Sequence, residues 1–284
     1  FKLKMNIENI LKKGANILNE CNIKNPYLDS EILLSETIKK DRKYIILNSK
    51  EELNDNNLKT FNELIQRRRK KEPIAYLINK KEFWKYNFYV NHNVLIPRPD
   101  TEHLIDQTFK LFHNRSKLTI LDIGTGSGCI LLSILKERRK FLGTGIDISK
   151  KAINVARFNA KVHQLSNRVK FYNSDVDNFL IGKYDLILSN PPYIKQSNLK
   201  YLEKDVVGFE PKIALSGGKD GFSKITKVIS RAAVLIKKKG KFILEIGFDQ
   251  KNKTLKILKN KGFYINSVLK DYAQNERCIV STKI

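Results

Sequence analysis

Apolar residues recur at helical spacing from Met5 to about Arg69. This spacing predicts three helices; the second begins at Pro26, whose ring suits the first helical position, and the third runs roughly from Asn57 to Arg69. The predicted apolar faces are formed by Ile7, Ile10, Leu11, Ile17, Leu18, Leu28, Ile32, Leu33, Ile38, Leu58, Phe61, Leu64 and Ile65. Residues 1–73 are therefore predicted to form a small helical domain.

The pattern changes between residues 74 and 96 to short runs rich in Tyr, Phe, Val and Ile, which predict a β-hairpin linker. From residue 97 to residue 284, short apolar runs alternate with helix-length stretches, as in a parallel sheet covered by helices on both faces. Too few residues separate the last two strands for a crossover helix, so we expect them to pair antiparallel. The chain is therefore predicted to have an α/β fold.

Composition limits the choice of protein class. The 284 residues are 41% hydrophobic, and no apolar run reaches the roughly 18 residues of a membrane span. The opening residues do not resemble a secretory signal, so we expect a soluble, cytoplasmic protein with no membrane association. Met5 is the only methionine and is the expected start, with residues 1–4 as an upstream remnant. The three cysteines and four histidines are too scattered to predict a disulfide or a metal site.

The formal net charge of +25 has two interpretations. Lysine and arginine neutralise phosphates, which favours a nucleic-acid partner. The same excess follows from a whole-chain bias toward Lys, Asn and Ile, and a partner that itself works on RNA would also tolerate it. Charge alone does not decide between them.

The first candidate motif is LDIGTGSGCI, in which a predicted strand runs into a glycine turn and then a helix. Gly124, Gly126 and Gly128 let the backbone approach a ligand beside a helix N-terminus. An acid, Asp122, stands two residues before the turn. The spacing is G-x-G-x-G, with Cys129 in place of a glycine, whereas a dinucleotide-binding turn has G-x-G-x-x-G. A nicotinamide cofactor is therefore disfavoured.

Two further strand ends carry acids. Asp147 follows the next strand at the distance where an acid accepts the hydroxyls of a ribose, and its alternative role is a helix cap before Ser149. Asp175 follows the strand after that, where it and Val176 would flank an adenine; capping is again the alternative. Glycines and two acids at three successive strand ends favour one adenosyl ligand in a crevice.

The sharpest motif is NPPYI, directly after the apolar strand YDLILS. Prolines lack a backbone donor, so the Asn190 side chain and the Pro191 carbonyl can point into the crevice as acceptors for an NH2 group. Two acceptors would orient the delocalised lone pair of a planar amide or aryl amine toward a methyl donor. Tyr193 would pack on the flat substrate group. A simple turn made of Asn and two prolines is the alternative.

D-x-G-x-G-x-G followed by NPPY resembles the class I methyltransferases that modify NH2 groups. VLIPRPDTE, DIGTGSGCI, NPPYI, EPKIALSGGKDG and LEIGFDQ together resemble the HemK-type family of peptide chain release factor glutamine N5-methyltransferases. The resemblance covers nearly the whole chain. It implies a seven-stranded Rossmann-like sheet, a helical N-terminal substrate-recognition domain, a hairpin linker and S-adenosylmethionine as cofactor. The implied partner is a class 1 release factor, methylated on the glutamine of its GGQ loop.

The resemblance also implies roles for particular residues. Those expected to contact the cofactor are Gly124, Thr125, Gly126, Ser127, Gly128, Asp147, Asp175, Val176 and Asn190. Those expected to grip the glutamine amide are Asn190, Pro191, Pro192 and Tyr193. Residues 98–102 would form a wall between linker and cofactor, with a helix start as the alternative. Asn79 and Gln274 stand where the family tends to have glycine, and Val176 where some relatives have an aromatic residue.

Two other functions remain open on the sequence. An N6-adenine or N2-guanine methyltransferase is favoured by the basic charge but would need a base-flipping pocket and a nucleic-acid surface. A scaffold that binds the cofactor without catalysis would not need the NPPY acceptors. We expect a monomer that acts on a protein and has no direct nucleic-acid substrate.

Overall fold

A computed structural model describes residues 6–271 and 273–284. The expected start, Met5, and residues 1–4 lie outside the described residues. The described chain falls into two units. One contains the residues up to Asn79 together with Glu203–Phe209, and the other contains Lys80–Leu202 and Glu210–Ile284.

The first unit is helical. Its helices are α1 (Ile7–Glu20), α2 (Pro26–Ile38), α3 (Arg42–Leu47), α4 (Asp55–Arg69) and the single turn α5 (Ile74–Leu77). The side chains of Asn6, Asp41 and Asn54 each accept a backbone N–H in the first turn of the helix that follows, which satisfies donors left free at a helix start. The six-residue α3 was not predicted, because so short a helix has no apolar period to reveal it.

The core of the helical unit forms where α1, α2 and α4 pack together. Gly14, in the middle of α1, allows the close approach: a Cβ atom there would lie 2.6 Å from Ser30 Oγ and 2.9 Å from Phe61 Cζ. The Ser30 hydroxyl also donates to the backbone oxygen of Leu11. The glycine is therefore explained by packing rather than by backbone conformation.

Gly14→Ala is expected to destabilise the protein by about 1–2 kcal/mol, because overpacking outweighs the gain of about 1 kcal/mol in helix propensity. Asn16→Ala, on the exposed face of the same helix, is the matched control and should be neutral or slightly stabilising. Urea unfolding of both variants checks the pair. An unchanged midpoint for Gly14→Ala would contradict the packing argument.

A buried ion pair fastens a distant segment to these helices. Arg68 donates to Asp29 at 2.8 Å and to Asp205 at 2.9 Å, and the Arg68 side chain is only 10% exposed. Asp205 lies on the short helix that runs over Lys204–Phe209, more than 130 residues away in sequence. This charged contact joins the segment to the helical unit, in which the segment is grouped.

The second unit contains a hairpin and a seven-stranded sheet. The hairpin strands are β1 (Lys80–Phe83) and β2 (Tyr86–Tyr89). The sheet strands are β3 (Leu118–Ile123), β4 (Phe141–Asp147), β5 (Val169–Asn173), β6 (Tyr184–Ser189), β7 (Ile236–Glu245), β8 (Phe263–Lys270) and β9 (Glu276–Lys283). Their order is β5-β4-β3-β6-β7-β9-β8. The first five of these strands run parallel, and β9 pairs antiparallel with both β7 and β8.

The remaining helices of the chain are α6 (His103–Leu111), α7 (Cys129–Glu137), α8 (Lys150–Val162), α9 (Lys204–Phe209), α10 (Lys212–Leu215), α11 (Ser223–Leu235) and α12 (Lys251–Asn260). Alternate residues of the central strands enter two separate apolar clusters: Ile120 and Leu188 belong to one, and Leu121 and Ile187 to the other. The sheet is therefore buried on both faces, as its near-continuous apolar strands predict. The predicted α/β fold with a seven-stranded Rossmann-like sheet, helical N-terminal region and hairpin is confirmed.

The hairpin groups with the sheet unit rather than with the helices. Asn159 on α8 is its main polar anchor: the side-chain oxygen accepts from Tyr89 N at 2.8 Å, and the amide donates to the carbonyls of Tyr89 and Ser127. Asn79, just before β1, has φ 51°, and Gln274 has φ 65°. These two positions, where the family resemblance expects glycine, thus keep the left-handed backbone that glycine favours.

No helix in the described ranges combines the length and apolar character that spanning a membrane requires.

Candidate active site

The glycine turn between β3 and α7 has the backbone geometry that the sequence predicts. Gly124, Gly126 and Gly128 have φ of 76°, 55° and 81°, values that favour glycine. A Cβ atom built on Gly124 or Gly126 would meet nothing within 4 Å, so both residues border open space. Gly128 sits at the N-cap of α7, which begins at Cys129. The turn therefore offers a bare backbone surface to a ligand.

Asp147, at the end of β4, holds this turn in place. One carboxylate oxygen accepts from Gly126 N at 3.0 Å and the other from Ser149 N at 2.8 Å. The cap of α8 is supplied by the Ser149 side chain, so the alternative capping role falls to Ser149. Burial raises the pKa of Asp147, although the backbone N–H of Ser149 and that of Gly126 oppose the rise. Each oxygen still has a lone pair for a ligand hydroxyl.

Asp122 stabilises the turn through a hydrogen bond with Thr125. It is fully buried at the end of β3, where one oxygen accepts from the Thr125 hydroxyl at 2.7 Å. The other oxygen has no partner among the described residues. Burial raises the pKa of Asp122 to about 7, and the nearby Asp147 charge contributes to the rise. Thr125 and Ser127 are buried in this support, so their predicted contact with the cofactor stays a prediction.

At the end of β5, Asp175 caps a turn and also borders the cavity. The Asp175 side chain accepts from Asp177 N at 3.0 Å and so caps the short 3-10 turn Val176–Asn178. Asp175 and Val176 also border the same open cavity as the glycine turn. Ile148, which was not predicted, adds an apolar side chain there that is 46% exposed. Val176 and Ile148 give this part of the cavity an apolar character suited to a flat ring.

One cavity of the sheet unit brings most of the predicted residues together. Its lining includes Gly124, Gly126, Asp147, Asp175, Val176, Asn190, Pro191 and Pro192. The segment 93–95 and Pro211, Ile213 and Ala214 at α10 line it as well, as does Lys224 on α11. The α10 residues belong to the stretch EPKIALSGGKDG, which carried the family resemblance but no assigned role.

Asn190 is fixed at the edge of this cavity. The preceding Ser189 donates its hydroxyl to Ile123 O at 2.7 Å, which joins the end of β6 to the end of β3, directly before the glycine turn. The Asn190 side-chain NH2 donates to Thr101 Oγ1 at 2.9 Å. Among the described residues, nothing donates to the Asn190 side-chain oxygen or to the Pro191 carbonyl. Two acceptors therefore remain for a ligand.

The Gln250 side chain holds the backbone after Asn190 through hydrogen bonds. The Gln250 side chain donates to the carbonyls of Tyr193 and Gly221, both at 3.1 Å, and accepts from Gly247 N at 2.9 Å. Gly221 has φ 79°, and a Cβ there would lie 2.7 Å from the Tyr193 oxygen. Only glycine lets this loop pass so close to the motif.

Tyr193 lies apart from the cavity lining. Its ring packs on the core of one sheet face, and its hydroxyl donates to Glu245 Oε1 at 3.3 Å. Burial, with the Glu245 charge as the next cause, raises the pKa of Tyr193. This position fits a residue that supports the motif, and the predicted packing of Tyr193 on the substrate stays a prediction.

The segment 98–102 begins a helix, which is one of its two predicted roles, and the predicted wall between linker and cofactor stays a prediction. Pro99–Glu102 form a 3-10 turn that leads into α6, and Glu102 accepts from Trp84 N at 2.7 Å. Arg98 donates to the buried Glu210 at 2.5 Å, and Glu210 also accepts from Ile96 N. Glu210, Glu245 and Gln250 were not predicted as site residues, although all three lie in stretches that carry the family resemblance.

Known proteins resemble the chain in both units. Residues 9–78 match the PrmC N-terminal domain, and residues 102–207 match the methyltransferase small domain. Two solved structures share the fold. The ribosomal protein L11 methylase of Lactobacillus delbrueckii subsp. bulgaricus superposes with a TM-score of 0.51 at 18% identity, over 69% of this chain and 84% of that one. A methyltransferase of Pyrococcus furiosus superposes with a TM-score of 0.50 at 20% identity, over 69% of this chain and 88% of that one.

Relatives in sequence match over nearly the full chain. The release factor glutamine methyltransferase of Clostridium acetobutylicum is 38% identical over 98% of this chain and 99% of its own length. That of Buchnera aphidicola subsp. Baizongia pistaciae is 38% identical over 98% and 100%. The bifunctional methyltransferase of Rickettsia conorii is 35% identical over 99% of this chain, which spans only 59% of that protein.

The seven-stranded sheet, the glycine turn and the acids at its strand ends define a class I methyltransferase. Within this class, the near full-length matches identify the subgroup. The chain belongs to the release factor glutamine methyltransferase family.

Proposed function

We propose that this enzyme transfers the methyl group of S-adenosylmethionine to the side-chain amide nitrogen (N5) of the glutamine in the GGQ motif of class 1 peptide chain release factors. The observation that carries the proposal is the pair of free acceptors, Asn190 Oδ1 and Pro191 O, on residues that line the cavity with the glycine turn. Family membership supports the choice of substrate.

A primary amide fits two acceptors. Its NH2 group has two hydrogens in one plane, and its lone pair is delocalised into the carbonyl, so the nitrogen is a poor nucleophile. When both hydrogens are held, the nitrogen is fixed and its lone pair can be directed at an electrophile. Orientation and exclusion of water, rather than a strong base, would be the main contribution of Asn190 and Pro191.

The residues present fit the expected cofactor. The open space beside Gly124 and Gly126 leaves room for the amino acid portion, the Asp147 carboxylate can accept ribose hydroxyls, and Val176 with Ile148 can hold the adenine. S-adenosylmethionine supplies an electrophilic methyl group on its sulfonium when bound. Asp175, whose side chain already caps a turn, would contribute through its position rather than as a main acceptor.

The remaining assignments follow from the same proposal. Residues 1–73 would recognise the release factor, residues 74–96 would act as the linker, and residues 97–284 would perform the transfer. The protein would work as a monomer in the cytoplasm, with a release factor as its partner and no direct nucleic-acid substrate. The charge of +25 would then reflect composition or a partner that itself works on RNA.

The test is transfer of labelled methyl from S-adenosylmethionine to four acceptors in parallel: a class 1 release factor, the same factor with its GGQ glutamine changed to alanine, ribosomal RNA, and DNA. Label on the intact factor alone is expected. Label on RNA or DNA would favour the nucleobase function instead, and equal label on both forms of the factor would place the modification at another residue.

A further inference from the structure

Six of the seven sheet strands begin at one end of the sheet, opposite the end where the cavity lies. β8 runs parallel to β7, because β9 pairs antiparallel with both, and β9 finishes at this amino end. Every segment of the chain that passes this end contains Lys or Arg, and none contains Asp or Glu. These segments are 112–117, 138–140, 163–168, 179–183, 236–240 and 261–262.

A bulge in β7 adds lysines to this end. Ile236 and Lys241 pair with two residues of β6 that are only two positions apart, so the residues between them form the bulge. They include Lys237, Lys238 and Lys239, all exposed. Lys237 is the one that forms an ion pair within the sheet.

The acids that flank these segments are already paired. Glu137 lies 3.2 Å from Lys85 Nζ, and Asp185 lies 2.9 Å from Lys237 Nζ. Several basic side chains of the same end remain exposed and have no acidic partner among the described residues. We call this set the basic row; its members are Lys117, Arg139, Lys140, Lys238, Lys239 and Lys261.

The opposite end of the sheet has mixed charge. Asp147 closes β4 there, and Asp175, Asp249 and Asp271 follow β5, β7 and β8. Lys195, at the same end, pairs with Asp249. A whole-chain bias toward lysine would add positive charge to both ends alike and would not remove acids from one of them. The basic row is therefore better explained by a partner of negative charge than by composition.

We propose that the basic row binds the phosphate backbone of RNA. Neighbouring strands lie about 4.8 Å apart, so the row, which runs from β4 to β8 across five strand spacings, is about 24 Å long. This length lies within one turn of a nucleic-acid duplex, about 34 Å, so one duplex can reach the whole row. Exposed lysines and arginines neutralise its phosphates and release bound counterions.

Two other polyanions fit less well. Segments that bind a membrane surface are typically amphipathic helices with inserted apolar side chains, whereas the basic row lies on loops and strand starts. The choice of RNA over DNA rests on the proposed function, because a release factor acts in translation, where RNA is the nucleic acid present.

The bound RNA is an anchor and not a methyl acceptor. β3 has six residues, and at about 3.3 Å per residue its two ends lie about 20 Å apart. RNA on the basic row is therefore separated by the depth of the sheet from Asn190 and the glycine turn. It would hold the enzyme near its substrate and leave the cavity open.

The test is a variant that combines Lys117→Gln, Lys140→Gln and Lys238→Gln. Fluorescence anisotropy measures its binding to a labelled, short, mixed-sequence RNA duplex at several salt concentrations. We expect binding about 10- to 100-fold weaker in low salt, and a plot of log association constant against log salt concentration that is shallower by about 2. Affinity and slope equal to those of the wild-type protein would overturn the proposal.

The matched control combines Lys13→Gln, Lys43→Gln and Lys59→Gln. These lysines of the helical unit are exposed and have no acidic partner among the described residues, so the control loses the same charge. It should bind RNA nearly as well as the wild-type protein. Equal weakening in both variants would show a general effect of net charge and would overturn the assignment to the basic row.

Two further ligands test the identity of the partner. Tighter binding of the matching DNA duplex than of the RNA duplex would overturn the choice of RNA. So would binding to vesicles of phosphatidylserine and phosphatidylcholine that the basic-row variant loses, if the RNA duplex is not bound.

Methyl transfer to the free release factor separates this inference from the proposed function. The basic-row variant should transfer at the wild-type rate, because none of its three substitutions touches the cavity. Absence of transfer by the wild-type protein would refute the proposed function, and the anisotropy measurement, which needs no methyl donor, would still decide whether the basic row binds RNA.

Discussion

Asn190→Ala is expected to lower methyl transfer to the release factor by about 100- to 1000-fold, the range found when one preorganised hydrogen-bonding group is removed from an active site. The reason is that no described residue donates to Asn190 Oδ1, which leaves this oxygen to accept from the substrate amide. Without it the glutamine amide can rotate, and its nitrogen is no longer fixed against the methyl donor.

The same variant should bind S-adenosylmethionine almost as well as the wild-type protein, because the glycine turn and Asp147 are untouched. Isothermal calorimetry and the labelled-methyl assay measure the two effects separately. Asn260→Ala, at the exposed end of α12, is the control and should change neither. Near-normal turnover in Asn190→Ala would contradict the acceptor role, and a large loss of cofactor affinity would reassign the residue to cofactor binding.

The parts of the site that are carried by local motifs at strand ends were predictable from the sequence. Parallel strands end at one edge of a sheet, so a glycine turn after β3, an acid after β4 and the NPPY motif after β6 had to meet there. The left-handed backbone of the three turn glycines follows from the same local pattern. The fold was predictable for a similar reason, since buried parallel strands read as short apolar runs.

Contacts between distant parts of the chain could not be read from one sequence. Asn190 meets Thr101 across 89 residues, and Arg98 meets Glu210 across 112. Neither contact leaves a periodic signal. Gln250 illustrates the same limit, because a lone glutamine in LEIGFDQ looks like a surface residue, and only the tertiary structure shows it bonded to three backbone groups.

Asp175 and Tyr193 show how a residue of the right type at the right place can have another task. Both fit the predicted chemistry, yet the Asp175 carboxylate caps a turn and the Tyr193 hydroxyl is given to Glu245. In each case the side chain is already hydrogen-bonded within the protein, Asp175 to a backbone N–H and Tyr193 to a buried carboxyl group. A spacing argument identifies which residues reach the site but not which of their atoms stay free.

Asp147→Ala is expected to weaken S-adenosylmethionine binding by about 100-fold, because hydrogen bonds to a charged group are worth roughly 1.5–3 kcal/mol each and two or more are lost. The carboxylate would bind the ribose hydroxyls, and it also holds Gly126 in the turn. Calorimetry measures the affinity. Asp106→Ala, which removes a half-buried acid paired with Lys110 on α6, is the control and should leave the affinity unchanged.

Thermal unfolding separates the two roles of Asp147. Burial raises the pKa of this carboxyl, so keeping it charged in the folded protein costs free energy. A buried acid that is retained despite such a cost is typical of a binding site. The alanine variant removes that cost but also the hydrogen bonds to Gly126 N and Ser149 N, so without cofactor it should melt only modestly below the wild-type temperature. It should lose the stabilisation that added cofactor gives, since that stabilisation grows with the ratio of ligand concentration to dissociation constant. A variant that melts far lower but binds normally once folded would make Asp147 a structural residue of the turn, with the ribose held by other groups.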